Sequence, residues 1–517
     1  MLGEEDLMTV DNRFNPDELK QLLQNKYGTG VRVQVFPNAQ GEETDEVEGE
    51  ELHTTQKFDF EHKPSGIKEY LDRYVIQQDD AKKVLATAIC DHYHHIQNCQ
   101  GSEDCRDYKK QNIILIGPSG VGKTYLVQNV ARLIGVPFFK ADATKYSETG
   151  YVGGDVEDLI RELVHQAKGD IQLAEYGIVY LDEIDKIASP SNSLGRDVSG
   201  HGVQRGLLKL LEETEVPLKS PTDIASQMQA FMEVQAGGKP EKKTINTKHI
   251  LFIVSGAFTG LTDIIRKRLG AKRIGFIGEK TSQEQQRFLL QKARSVDFID
   301  YGFESEFIGR LPVVVHCNPL TVPDLFRILK DSEGSLLKQY KSDFLAYGID
   351  AYFKDEGIRA IAERAALEET GARGLITVCE QLFREYKYQL PDSEVGDLVV
   401  GREMVKDPPG KLAELLANPN LYREEVLGFR LKKLEREFSD NFGVEIRFTP
   451  EAAELLASRA AAEGRDILEY CRELFRDYEH GVKLLKKSSR KEPWVFDVDA
   501  VSDPSGSLER WIRETYH

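Results

Sequence analysis

Apolar residues recur along this chain with two different periods, and the switches between them lay out the elements. Residues 67–74 and 80–96 carry apolar side chains at helical spacing, joined by Val75-Ile76-Gln77-Gln78. Ile113, Ile114, Leu115 and Ile116 make a continuous apolar run, the pattern of a parallel strand buried on both faces. Helical spacing returns over residues 125–134, and a second strand is predicted over 136–141. A helix is expected over 156–175, then an apolar strand at Ile178-Val179-Tyr180-Leu181 and a further one over 251–255. Strands alternating with helices predict an α/β domain built on a parallel sheet. Near the start, residues 16–27 have helical spacing through Leu19, Leu22 and Leu23, and residues 31–36 alternate like a strand. This is too little to fold alone, so residues 1–40 are expected to dock on the body or a partner. Residues 41–51 are almost entirely acidic or glycine, a solvated linker.

The two motifs that carry chemistry sit where strands end. After the run at Ile113, residues 117–124 fit G-x-x-x-x-G-K-[ST]. Gly117, Gly120 and Gly122 let the backbone wrap around polyphosphate with N–H groups inward, Lys123 reaches the β- and γ-phosphates, and Thr124 is placed to ligate Mg²⁺. The helix that follows turns its positive end toward the anion. The strand at Ile178 ends in Asp182-Glu183, and a carboxylate there holds Mg²⁺ through its shell while its neighbour polarises the attacking water. Together the motifs predict ATP hydrolysis. Ser255, closing a strand, is a candidate γ-phosphate sensor. Arg310, in Glu306-Phe307-Ile308-Gly309-Arg310-Leu311-Pro312, is a candidate arginine finger aimed at a neighbouring subunit.

Composition narrows the class. With 517 residues, the chain has room for three or four domains. A net charge of −18 argues against a nucleic-acid-wrapping surface. Six scattered cysteines suit a reduced, cytoplasmic chain, and the start lacks the basic and apolar regions of a signal peptide. No apolar run is long enough to span a bilayer. His92, His94, His95, Cys99 and Cys105 fit no standard zinc spacing and read as ordinary polar residues.

From about residue 64 to 400 the chain resembles the ClpX branch of the AAA+ unfoldases, with HslU more distant. The resemblance rests on Tyr74-Val75-Ile76 with Ala81-Lys82-Lys83-Val84-Leu85, on the P-loop, and on Ala141-Asp142-Ala143-Thr144. It continues through Gly150-Tyr151-Val152-Gly153, residues 178–186, Arg196-Asp197-Val198-Ser199-Gly200, residues 306–314 and Gly371-Ala372-Arg373-Gly374-Leu375. It implies ATP held between Val75 and Ile76 on one side and Pro118, Ser119, Gly120, Val121, Gly122, Lys123, Thr124 and Tyr125 on the other. It implies a sensor-2 role for Arg373, a trans-acting role for Arg310 in a homo-hexamer, and a pore loop in which Tyr151 and Val152 grip protein substrates. Ile274-Gly275-Phe276 falls where the family carries its ClpP-docking loop. Three departures stand out. The N-terminal zinc module is missing, Gln77 replaces glycine, and residues 222–235 look inserted near a pore entrance that lacks Arg-Lys-His.

Past the family's small domain, the chain looks like a copy of it. Tyr347-Gly348-Ile349-Asp350 through Arg364-Ala365-Ala366 reads in register with Phe442-Gly443-Val444-Glu445 through Arg459-Ala460-Ala461. Then Cys379-Glu380-Gln381-Leu382-Phe383-Arg384-Glu385-Tyr386 meets Cys471-Arg472-Glu473-Leu474-Phe475-Arg476-Asp477-Tyr478. Arg465 falls opposite Arg373, without a second P-loop. The expected domains are therefore an element over 1–40, a linker over 41–60, an AAA+ α/β P-loop large domain over 61–318 and an α+β small domain over 319–405. A linker over 406–425, marked by Pro408-Pro409-Gly410, then leads to the degenerate copy over 426–517. The leading expectation is an ATP-driven unfoldase feeding a ClpP-like peptidase. A peptidase-independent remodeller or scaffold is the alternative, and a nucleic-acid motor is disfavoured by the acidic balance.

Overall fold

The computed structural model describes residues 59–99, 110–146, 154–188, 200–218, 243–270, 285, 288–442, 445–476, 478 and 493–516. Tyr151, Val152, Ile274, Gly275, Phe276, residues 1–58, 196–199 and 222–235, and Cys105 lie outside the described residues.

Helices α1 (Pro64–Tyr74) and α2 (Asp79–Cys99) precede the sheet. Its strands are β1 (Ile113–Ile116), β2 (Phe138–Asp142), β3 (Ile178–Asp182), β4 (Leu251–Gly256) and β5 (Val313–His316), all parallel in the order β2-β3-β4-β1-β5. Strands β1 and β4 are buried along their whole length. Alternate side chains of β1, β3 and β4 feed two cores: Ile114, Ile116, Val179, Leu181 and Val254 on one face, Ile113, Leu115, Tyr180, Leu251 and Ile253 on the other. That double burial is why these runs are continuous rather than alternating. Strand β5 was not expected from the sequence. The helix expected over 156–175 is instead two pieces, Asp158–Gln166 and Ile171–Ala174, because Lys168 (φ 56°) and Gly169 (φ 86°) are left-handed and break it.

The chain then forms a second core around β6 (Asp350–Phe353), paired in parallel with β7 (Asp397–Val400). Between them run the helix Asp355–Leu367 and α4 (Ala372–Gln389). The expected linker over residues 406–425 is largely not one: Pro408–Ala417 is a helix that buries Leu412 and Leu415 in this core. Pro-Pro-Gly reads as a turn, yet here the prolines occupy the first helical turn, where a missing N–H costs nothing, and Asp407 caps Gly410 N at 3.1 Å.

Helix α5 (Arg423–Phe442) opens the C-terminal copy. Strand β8 (Ile446–Phe448) pairs in parallel with β9 (Trp494–Phe496), and between them lie Pro450–Ala462 and α6 (Ile467–Leu474). The order strand, helix, helix, parallel strand, short helix, Pro-started helix is that of the small domain, around a separate core. Details repeat as well. Tyr386 donates to Pro408 O and Tyr478 to Pro504 O, each at 2.8 Å, and Asp503 caps Gly506 N as Asp407 caps Gly410 N. The copies are joined by Arg430 of α5, whose Nη2 lies 2.8 Å from Asp350 and 3.6 Å from Asp397, and by Phe429 stacked on Tyr352 at 5.4 Å. Removing one tyrosine hydroxyl deletes a part-buried hydrogen bond to Pro504 O, so Tyr478→Phe is expected to cost the C-terminal module about 1 kcal/mol. Chemical denaturation followed by the fluorescence of Trp494 and Trp511, both in this core, reads it; an unchanged transition would remove the bond from the fold's support.

Cys90, Cys317, Cys379 and Cys471 are buried free thiols. Cys99 is disulfide-bonded, a departure from the fully reduced chain that composition suggests. The histidines of α2 are spent on local partners: His92 Nε2 lies 3.0 Å from His249 O, His94 Nε2 3.2 Å from His62 O and His95 Nε2 3.0 Å from Cys99 Sγ.

Candidate functional site

The carboxyl ends of β1, β3 and β4 converge, the place where an open parallel sheet builds its sites. A cavity of about 500 Å³ opens there, lined by the P-loop from Ser119 to Tyr125, by Asp182 and Glu183, and by Val75 and Ile76. Pro118 lines the adjoining cleft instead. Helix α3 (Lys123–Ile134) starts at Lys123, with Gly122 left-handed at its cap (φ 93°), so its free N–H groups face the cavity. Gly120 shows why the loop tolerates no Cβ: its φ is 72°, and a Cβ there would stand 2.0 Å from Thr370 O. That close approach brings the small domain onto the P-loop, with Ala372 N donating to Gly120 O at 2.8 Å.

Polar groups are organised around Asp182. Its Oδ1 accepts from Ser255 Oγ at 2.6 Å, and its Oδ2 lies 3.3 Å from Thr124 Oγ1 and 3.3 Å from Lys140 Nζ. Tyr180 donates to Ser255 Oγ at 2.6 Å and accepts from Thr124 at 3.2 Å. Burial alone would raise the Asp182 pKa; the Ser255 hydroxyl and Lys140 outweigh it and hold the carboxyl below its ordinary value. An ionised Asp182 beside a threonine hydroxyl is a donor set that suits a hard divalent cation such as Mg²⁺. Lys123 donates to Gly117 O at 2.6 Å and Pro118 O at 2.8 Å, and burial holds its ammonium below the usual range. Glu183 stands at the mouth with a left-handed backbone (φ 58°), its N–H bonded to Asp182 Oδ1 at 3.1 Å.

The other end of the cavity is apolar and comes mostly from the small domain: Leu320, Ile328, Gly334 and Ile376 face Tyr74, Val75 and Ile76. Ser332 donates to Tyr74 O at 2.8 Å and Glu333 N to Arg73 O at 2.9 Å, stitching the two domains together here. Sequence reasoning named Val75 and Ile76 but missed Leu320, Ile328, Ser332, Gly334 and Ile376, because no motif marks them, and it missed Lys140, whose only signal is a lysine following two phenylalanines in a strand. Arg373, at the start of α4, reaches the P-loop, with Nη1 donating to Ser119 Oγ at 3.2 Å. Arg310 does not reach its own cavity: its Nη2 pairs with Glu212 at 2.5 Å on the exposed surface, and its carbonyl accepts from Asn112 at 3.0 Å.

The C-terminal copy has no such arrangement. In the small domain α4 begins after Gly371 (φ 61°) with no side-chain cap, leaving its positive end toward the cavity. In the copy, Asp466 caps α6 through Leu468 N at 2.9 Å and Glu469 N at 3.3 Å, and Arg465 is held by Glu473. A carboxylate of the chain itself satisfies the helix end that an anion would otherwise meet.

The model of the AAA domain (Cdc48 subfamily) matches residues 108–314. The ATP-dependent Clp protease ATP-binding subunit ClpX of Borrelia duttonii is 40% identical over 348 residues, covering 66% of this chain and 78% of that protein. The chain belongs to the ClpX family of AAA+ proteins. The ClpX of Treponema denticola tells the same story, at 39% identity over 356 residues, 67% of this chain and 82% of the relative. Like the family, the chain is an ATPase and binds ATP. One departure from the family pattern now has its geometry: Gln77, where ClpX proteins have glycine, is held left-handed at φ 61°, a conformation glycine adopts freely and glutamine only at a cost of about 1 kcal/mol or more.

Proposed function

We propose that this chain is an ATP-dependent protein unfoldase that works as a homo-hexameric ring in the cytoplasm, threading polypeptides through a central pore to a ClpP-like peptidase. One observation carries the ring: the cavity gathers the P-loop, Asp182, Glu183 and Arg373, yet Arg310 points away from it on the surface. A site lacking its finger is completed by a neighbour. In this reading Lys123 binds the β- and γ-phosphates, Thr124 and Asp182 hold Mg²⁺, and Glu183 takes the proton of the attacking water. Held there, Mg²⁺ would supply neutralisation of the charge developing on the phosphates. Ser255 senses the γ-phosphate through its bond to Asp182, and Arg373 reports it to the small domain. Among the described residues no helix is long and apolar enough to cross a membrane. The relatives are named as Clp protease subunits, which supports a peptidase partner for Ile274, Gly275 and Phe276.

Native domains are stable by only about 5–15 kcal/mol, so repeated cycles with a modest grip suffice to pull them apart. The test is degradation of a tagged, folded fluorescent protein by this chain, ATP and a ClpP-type peptidase. Tyr151→Ala is expected to keep ATPase activity and lose loss-of-fluorescence unfolding. Phe276→Ala is expected to keep unfolding and lose degradation. Unfolding without degradation in the unsubstituted protein would favour the peptidase-independent remodeller. No unfolding at all would sink both.

A further inference from the structure

Gln78 is the most constrained residue near the cavity that takes no part in the chemistry above. It lies two residues after Ile76 of the Val75–Ile76 wall, is 1% exposed, and sits left-handed at φ 60° immediately after the left-handed Gln77. Two consecutive non-glycine residues in that region store strain that surrounding contacts must hold. The contact that holds Gln78 is specific. Its Nε2 donates to Asn318 O at 2.8 Å, and its Oε1 accepts from Asn318 N at 2.7 Å. One side-chain amide thus satisfies both backbone groups of a single residue, as a strand neighbour would, at a separation of 240 positions.

Asn318 lies in the crossing between the domains. Strand β5 ends two residues before it, and Leu320, two residues after it, lines the apolar end of the cavity. Its neighbour Cys317 is bonded through N to Ile116 O at 2.7 Å and packed against Gly117, so the P-loop strand fixes the near side of the crossing. Gln78 fixes the far side. The two walls that enclose the apolar end of the cavity, Val75–Ile76 from the large domain and Leu320 from the crossing, therefore meet at one buried amide pair.

We infer that Gln78 is a positioning residue that latches the interdomain crossing to the wall of the cavity's apolar end, so that filling this end with a nucleotide base sets the angle between the domains. The latch is rigid because both bonds are buried and shielded from water, where a lost partner leaves a desolvated carbonyl or N–H. It rests on the cavity being the ATP site.

The test uses the full-length chain with spin labels at Gln172→Cys on the large domain and Tyr388→Cys on the small domain, both exposed, diluted in excess unlabelled protein. In the unsubstituted background, ATPγS is expected to shift and narrow the distance distribution. Gln78→Met, which keeps length and loses both bonds, is expected to bind a fluorescent ATP analogue within threefold of normal while leaving the distribution broad and lowering kcat at least tenfold. Gln78→Glu keeps the acceptor for Asn318 N and loses the donor to Asn318 O, so an intermediate response is expected, and it serves if the methionine variant does not fold. A purely structural residue would lower the melting temperature without splitting kcat from KM. A normal nucleotide response in both Gln78 variants overturns the latch alone. No response in the unsubstituted protein overturns the latch and the reading of the cavity together.

Discussion

Lys123→Ala is expected to abolish measurable ATP turnover, and Glu183→Gln to bind ATP normally while its kcat falls about 10²–10⁴-fold, the worth of a general base. The two substitutions separate because the side chains do different things in one cavity. Lys123 is buried, and its ammonium already leans on the carbonyls of Gly117 and Pro118 at the cradle's floor. With ATP bound, the same charge meets the β- and γ-phosphates, so alanine removes binding and transition-state stabilisation together. The Glu183 side chain stands exposed at the mouth; only the backbone N–H of this residue joins the hydrogen-bond set that fixes Asp182, Thr124, Ser255 and Tyr180. Glutamine keeps its shape and loses only the ability to take a proton, so the side chains proposed to hold Mg²⁺ and phosphate are left as they were. Phosphate release measured beside binding of a fluorescent ATP analogue distinguishes them. A Glu183→Gln protein hydrolysing ATP at the unsubstituted rate would remove it as the base, and turnover by Lys123→Ala would detach the P-loop from the reaction.

The half of this site that handles phosphate was legible in the sequence because phosphate chemistry is local. Glycines, lysine, threonine and the acidic pair occur in short fixed spacings after apolar runs, and the strands they end are recognisable by continuous burial. The base end was legible only in Val75 and Ile76, through the family resemblance, and not in the residues that face them. Leu320, Ile328 and Gly334 belong to segments whose spacing only says that they pack somewhere, and their convergence with Tyr74 depends on how two domains meet. Strand β5 escaped notice for a related reason: Val313, Val314 and Val315 make a run too short to separate from the loop after Pro312 until β1 supplies its partner. The error at Pro408 was one of ambiguity, since proline suits both a linker and the first turn of a helix, and only the burial of Leu412 and Leu415 decides. The C-terminal copy, by contrast, could be read from aligned residues alone, because Tyr386 with Tyr478 and Cys379 with Cys471 occupy the same places in two cores.

Arg310→Ala is expected to lower kcat about 10³-fold or more, as loss of a trans-acting arginine does in other nucleotide hydrolases, with ATP affinity little changed. The proposed ring carries a stronger expectation, that the loss is repaired by another subunit. In one chain Arg310 lies on the surface, paired with Glu212, each about half exposed (51% and 44%). An exposed pair of this kind is worth about 0–1 kcal/mol, so a neighbour's phosphates can draw the guanidinium away at little cost. Asn112, buried and bonded to the Arg310 carbonyl, holds the backbone still while the side chain swings. Two inactive variants should therefore complement. A subunit carrying Arg310→Ala keeps an intact Glu183 in its cavity, and a subunit carrying Glu183→Gln keeps an intact Arg310 on its surface. Mixed in equal amounts and allowed to exchange, they form interfaces that pair the good base of one with the good arginine of the next. ATPase activity well above that of either variant alone is the expected result, with Glu212→Gln staying within a few-fold of the unsubstituted protein as a control for surface charge. If Arg310 acted within its own chain, every cavity in the mixture would lack either its base or its arginine, and no activity would return.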